Sequence, residues 1–104
     1  MSNKIYRQGD ILFIETDSVP ESGTPAARVG GRIIVAEGES TGHHHAIAAP
    51  QTQMFTQDAL TWIVAPDVTE VTHEEHDTVT LPAGRYWVVR QRTWQRGTVR
   101  RVLD

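Results

Sequence analysis

The chain of 104 residues has a formal net charge of −3 and a hydrophobic content of 38%, which are ordinary values for a globular protein. This length predicts a single domain over residues 1–104, and the absence of cysteine excludes disulfides, thiolate metal ligands and cysteine nucleophiles. No segment has the ~18–20 apolar residues of a membrane span, and the N-terminal residues lack the apolar core of a signal peptide. We therefore expect a cytoplasmic protein that does not enter the membrane.

Two short apolar segments near the N-terminus predict buried strands. Residues 11–14 form an uninterrupted apolar run after the turn sequence Gln8–Asp10. Residues 32–36 follow a Gly-Gly turn and are rich in β-branched side chains. The segment between them, residues 18–25, has the Ser, Gly and Pro content of a loop.

The middle of the chain predicts further strands joined by tight turns. Residues 54–56 and 60–64 indicate a hairpin around Gln57–Ala59. Residues 68–72 and 78–81 alternate apolar and polar side chains, as strands with one buried face do. Strands this close in sequence are most simply paired antiparallel.

The C-terminal part contains the longest strand candidate. Pro82-Ala83-Gly84 predicts a turn in which Pro82 fixes φ and Gly84 takes a left-handed conformation. The strand candidate runs from Arg85 to Trp94, and we expect residues 98–103 to pair back onto it.

These elements together predict the fold class. No apolar period of 3.6 residues persists for more than about two helical turns. Many short strands separated by turn signals are typical of antiparallel β proteins. We predict a mainly β fold, a small antiparallel barrel or sandwich, with room for one short helical turn near residues 73–77.

All five histidines fall into two clusters, which are His43, His44 and His45, and then His73 and His76. If the first cluster leads into a strand, His43 and His45 share one face and His44 points to the other. A His-x-His pair on a strand can chelate one ion, because a neutral imidazole donates one ring nitrogen while a hydrogen bond fixes the other.

The second cluster, His73-Glu74-Glu75-His76, leaves two geometries open. In a turn or a single helical turn His73 and His76 meet, whereas in an unbroken strand His73 shares a face with Glu75. The spacing is not the His-Glu-x-x-His of zinc proteases, so that mechanism is not supported.

The two clusters predict one metal site, with His43, His45 and one or both of His73 and His76 as ligands. Such a set suits zinc, iron, manganese or nickel, which the ligand types alone do not distinguish. Two alternatives stay open: a functional site without metal, and histidines that line solvated surface loops.

Two functions are compatible with such a site. In an enzyme, a metal-bound water would carry out a hydrolytic or oxidative reaction on a small-molecule substrate, with Glu75 or Glu39 as the base. In a structural or interaction protein, associated for example with a phage, the chain would form a homo-oligomer with the histidines at a subunit interface.

Three segments carry a resemblance to other proteins. They are Gly42–His45, His73–His76 and Leu81–Tyr86. In this order they resemble the Gly-His-x-His, His-x-Glu-His and Leu-Pro-x-Gly-x-Tyr segments of a group of small bacterial and phage-borne proteins with no established activity. The resemblance favours His43 and His45 over His44. A looser likeness links the His-x-His strand and the Pro-x-Gly turn to cupins, which are metal-binding β-barrels, and is an analogy only.

Charge is unevenly distributed along the chain. The last twenty residues hold six of the ten Lys and Arg but only one of the thirteen Asp and Glu. In strand register Tyr86, Arg90 and Trp94 share a face, which could stack single-stranded nucleic acid. The net negative charge disfavours nucleic acid, and we expect this basic segment to pack beside the acidic residues between 67 and 77.

Overall fold

The computed structural model describes residues 4–38, 42–95 and 98–101, with the backbone alone for residues 92–95 and 98–101. Within these ranges the chain forms β-strands and no helix, and so no helix that could cross a membrane. The strands are β1 (Ile5–Gln8), β2 (Ile11–Glu15), β3 (Thr24–Pro25), β4 (Ile33–Glu37), β5 (His44–Ile47), β6 (Gln53–Gln57), β7 (Leu60–Ala65), β8 (Thr69–Thr72), β9 (Val79–Leu81), β10 (Gly84–Arg90), β11 (Arg92–Gln95) and β12 (Thr98–Arg101).

Antiparallel pairing arranges these strands into two larger sheets and one separate hairpin. The first sheet has the order β1-β2-β10-β7-β6-β3, the second has the order β4-β5-β8-β9, and β11 pairs with β12. Both larger sheets end in edge strands, so the described strands do not close into a barrel. Apolar side chains from both sheets form one core: Ile11, Phe13, Ile33, Ile47, Met54, Ile63, Val71, Leu81 and Tyr86. The predicted antiparallel β fold is confirmed, in its sandwich form.

The pattern of apolar residues predicted the positions of several strands correctly. In β8, Thr69 and Val71 are buried while Glu70 and Thr72 are exposed, as the alternation predicts. The predicted strand at residues 11–14 lies within β2. Alternation works here because successive side chains of a strand point to opposite faces of the sheet.

The β6–β7 hairpin is tighter than predicted. Gln57 pairs with Leu60, so the loop has two residues rather than three. Asp58 and Ala59 both have positive φ, 51° and 66°. Positive φ at both loop residues identifies a type I′ turn, for which Gly would be preferred over Ala at position 59.

The connection between β9 and β10 differs from the prediction at Gly84. Its φ is 159°, close to fully extended, rather than the value of about +57° of a left-handed turn. Gly84 already pairs with Ala65 as the first residue of β10. The hydroxyl of buried Tyr86 donates to the carbonyl oxygen of Pro82 at 2.6 Å, and this bond closes the connection instead.

The predicted strand from Arg85 to Trp94 is interrupted at Gln91, whose backbone N–H donates to the carbonyl oxygen of Asp10. The second half then forms β11, which pairs with β12 as predicted. The predicted aromatic and basic face is wrong for the first half, because Tyr86 is fully buried in the core while Trp87 is 38% exposed. The side chain of Trp94 lies outside the described residues.

Arg90, at the end of β10, bonds to two other segments of the chain. Its Nε lies 3.5 Å from Oδ2 of Asp10, and its guanidinium also donates to the carbonyl oxygen of Glu37. Arg90 thus joins the β1–β2 turn to the end of β4. The expected packing of the basic segment against residues 67–77 stays a prediction, because the side chains from residue 92 onward lie outside the described part of the chain.

Candidate metal centre

The pairing of β5 with β8 brings the two histidine clusters together. Ala46 lies opposite Thr72 in antiparallel register, so the chain that enters β5 runs beside the chain that leaves β8. The ring centroid of His73 lies 4.5 Å from that of His45 and 5.7 Å from that of His43. Clusters separated by almost thirty residues in sequence thereby become one site.

The second cluster follows a bend at residues 74–76 instead of the helical turn that the sequence allowed. The bend still brings the rings of His73 and His76 to 4.5 Å between centroids. The ring of His76 stacks at 6.1 Å on that of His45. Of the two geometries left open, the structure therefore has the one in which His73 and His76 meet.

His45 is oriented by Gln8, a residue that the sequence analysis did not select. The Gln8 amide nitrogen donates to the carbonyl oxygens of Val71 and Asp77, both at 2.9 Å, which fixes the orientation of the amide. Its oxygen must then accept from Nδ1 of His45, 2.7 Å away. This assigns the ring proton of His45 to Nδ1 and leaves the lone pair on Nε2, for which the described residues supply no hydrogen bond.

Burial keeps the imidazole of His45 neutral. The residue is only 1% exposed. Its pKa falls from 6.5 to about 4, first because burial disfavours the charged ring and second because His73, His76 and Arg90 repel a positive charge. A neutral imidazole with a fixed proton on one nitrogen is the form in which histidine binds metals.

A carboxylate orients His43 in the same way. Oε1 of Glu75 lies 3.2 Å from Nδ1 of His43. When Nδ1 donates to this carboxylate, Nε2 is left as the ligand atom, which is the carboxylate–histidine arrangement common around bound metals. Glu75, predicted as a catalytic base, is thus placed to orient a histidine.

Glu74, which was not selected from the sequence, enters the site directly. Its Oε1 accepts from the backbone N–H of His44 at 2.8 Å, and this hydrogen bond is the first cause that holds the pKa of Glu74 below its usual value. The ligand atoms of Glu74, His43 and His73 all lie within 4.8 Å of one another. These three residues form a group that could hold a metal ion.

His73 also supports the bend. Its Nδ1 accepts from the backbone N–H groups of Glu75 at 3.0 Å and His76 at 3.3 Å, so the proton of the neutral ring lies on Nε2. Burial, followed by the charge of His76, lowers the pKa of His73. Binding of a metal through either nitrogen requires these two hydrogen bonds to open.

Two glycines allow the histidine rings to approach the backbone. A Cβ on Gly38 would lie 2.7 Å from Nε2 of His73 and 3.1 Å from Cβ of His43. A Cβ on Gly9 would lie 2.7 Å from Nε2 of His76. Any side chain at position 38 would therefore displace the site.

Two of the four histidines predicted as metal ligands belong to the group that could hold an ion. His43 and His73 belong to the compact group. His45 and His76 lie outside it, and each of their rings makes a tilted contact with the ring of His73. Glu39 lies outside the described residues. Glu74 could have been suspected as a carboxylate beside two histidines, but no local signal indicates Gln8, whose partners are distant in sequence.

The sandwich fold and the histidine–glutamate group define an all-β domain with a potential metal site. A family described as a domain of unknown function, DUF8820, matches residues 7–91, and the chain belongs to this family. The matched segment includes all five histidines. No curated protein matches the chain, and no solved structure does.

Proposed function

We propose that this protein binds one divalent transition-metal ion at the group formed by His43, His73 and Glu74. The observation that carries the proposal is the distance of at most 4.8 Å between the ligand atoms of all three residues. Imidazole and carboxylate together suit zinc, iron, manganese and nickel, while calcium and magnesium prefer oxygen ligands alone.

A buried histidine, His45, lies beside this group. Nε2 of His45 carries a lone pair because Gln8 holds the ring proton on Nδ1. His45 can therefore join the ion as a further ligand or accept a proton from a metal-bound water. The ring centroid of His76 lies 4.5 Å from that of His73, and His76 is exposed.

An ion with three protein ligands keeps a coordination position for water, as catalytic rather than structural metal sites do. The chemistry that a bound ion would supply here is hydrolytic, since divalent metals lower the pKa of water toward neutral pH. Two further residues orient the histidines of this site: Glu75 orients His43, and Gln8 orients His45.

The test is metal analysis of protein purified without an affinity tag, followed by titration with zinc, iron, manganese and nickel. We expect about one equivalent per chain, and an affinity lower by on the order of 100-fold in H43A and E74Q. H44A is the matched control, because the ring of His44 is not in the group and its backbone N–H, which holds Glu74, remains. Wild-type protein that binds none of the four metals would contradict the proposal.

A further inference from the structure

A cleft adjoins the proposed metal group. Its volume is about 210 Å³, it is open to solvent, and it is lined by Arg32, His44, Thr72, His73 and Glu74. Two of these residues, His73 and Glu74, belong to the metal group as well. A molecule in the cleft would therefore lie next to the ion.

Arg32 places a positive charge in the cleft wall. The residue precedes β4 and is anchored by backbone hydrogen bonds with Val29 in both directions. Among the described residues its guanidinium has no ion pair or side-chain hydrogen bond, and its carboxylate neighbour Glu74 is instead bonded to the backbone of His44. The five N–H donors of the guanidinium remain available to a ligand.

Charge and size define the ligand. The three positive charges of a divalent ion and Arg32 outweigh the two carboxylates of Glu74 and Glu75, so the loaded site attracts anions. The planar guanidinium matches the paired oxygens of carboxylate and phosphate groups. A volume of about 210 Å³ is below the range of roughly 300–1,000 Å³ of drug-sized pockets, so the ligand is a small molecule or a small terminal group.

We infer that the cleft binds a small oxyanion, with one oxygen directed to the metal ion and another to Arg32. The inference rests on the proposed metal site and names the substrate class of that site. Carboxylate and phosphate share this chemistry, and the experiment separates them.

The experiment measures anion binding and metal binding in the same variants. Zinc-loaded protein is titrated calorimetrically with inorganic phosphate and, in a parallel series, with acetate. We expect R32Q to bind the preferred anion roughly tenfold or more weakly than wild type, with R32K in between and zinc affinity without anion unchanged. R85Q is the matched control, since Arg85 is an exposed arginine on β10 of the other sheet.

A reciprocal measurement gives a second readout. If anion and ion occupy one site, phosphate or acetate must raise zinc affinity by the same factor by which zinc raises anion affinity, and R32Q must reduce that factor. The stronger of the two anions identifies the oxyanion type.

The outcomes separate the two proposals. Zinc binding with equal anion affinity in wild type and R32Q overturns the oxyanion site and leaves the metal site intact. Zinc binding with no affinity for either anion overturns it as well. If wild type binds iron, manganese or nickel but not zinc, the anion titrations are carried out with that metal and are judged by the same two criteria. Absence of binding of all four metals overturns both proposals.

Discussion

The side-chain amide of Gln8 connects three segments that are distant in sequence. It bonds the ring of His45, the carbonyl oxygen of Val71 in β8 and the carbonyl oxygen of Asp77 after the bend. Because the amide has one acceptor and one donor group, these partners determine the orientation of the amide and thus the tautomer of His45. The buried side chain of Gln8 thereby places the lone pair of His45 on Nε2.

Replacing Gln8 should change the tautomer of His45 and the affinity for metal. In Q8L the constraint on Nδ1 is lost, so we expect the ring proton to shift toward Nε2. If His45 joins the ion as a fourth ligand, metal affinity falls roughly 10–100-fold as well. Nitrogen chemical shifts of the histidine rings in metal-free protein report the tautomer, and titration reports the affinity. Q57L is the control, because the side-chain amide of Gln57, on β6 of the sheet that does not contain His45, donates to the hydroxyl of Ser22. An Nε2-protonated His45 in the wild type would contradict the assignment.

Ala59 has a backbone conformation that a side chain disfavours. With φ of 66° in a type I′ turn, its Cβ costs on the order of 1 kcal/mol relative to glycine. We expect A59G to raise the free energy of unfolding by about 0.5–1 kcal/mol, measured by urea denaturation. A49G, at a residue for which no positive φ is found, is the control and should not stabilise the protein. Equal effects of the two substitutions would show that the turn is not strained.

The bend at residues 74–76 is the element that metal binding must alter. It is held by two backbone N–H groups that donate to Nδ1 of His73, the same ring that belongs to the proposed metal group. If the ion binds Nδ1, the lone pair of that atom can no longer accept the two hydrogen bonds. If the ion binds Nε2, the ring proton moves to Nδ1, which then cannot accept them either. The bend and the ion therefore compete for one imidazole.

Amide protons should report this competition. On saturation with zinc we expect the amide resonances of Glu75 and His76 to shift and their hydrogen exchange to accelerate, because their acceptor is withdrawn. The amide of Val68 is the control, since Val68 precedes β8, at the opposite end of the strand from the bend, and its amide donates to the carboxylate of Asp67. Unchanged amides of Glu75 and His76 in zinc-saturated protein would show that His73 is not a ligand.

The stability of the whole molecule should depend on pH through His45. The folded-state pKa of about 4 lies below the ordinary value of 6.5, so between these values the unfolded chain binds the proton that the folded chain excludes. Stability is therefore fully present above pH 6.5 and declines as the pH falls toward about 4. At ~1.4 kcal/mol per pKa unit the loss is roughly 3 kcal/mol at most, and the lowered pKa of His73 acts in the same direction.

Urea denaturation of metal-free protein at several pH values between 7 and 4 checks this expectation. H45Q, which keeps a polar side chain without a titratable ring, should show a flatter profile than wild type over this interval. Profiles of equal slope would show that His45 is not the group responsible.

The sequence by itself determined the features that neighbouring residues encode. Alternation of apolar and polar side chains located β8 and β9, and β-branched content located β4, because a strand with one buried face repeats every two residues. The two histidine clusters predicted one metal site, and two of these histidines, His43 and His73, belong to the group that could hold an ion. The predicted left-handed Gly84 was wrong, because the cross-strand pairing with Ala65 and the Tyr86 hydroxyl determine the backbone there.

Only the tertiary structure decided which side chains meet. The register of β5 against β8 places His45 beside His73, and the bend directs Glu74 into the metal group while Glu75 turns to His43. Gln8 reaches the site because β1 and the segment after β8 approach each other. Such contacts join residues far apart in the chain, so they depend on how both sheets bury their apolar faces together, and no short sequence pattern carries that information.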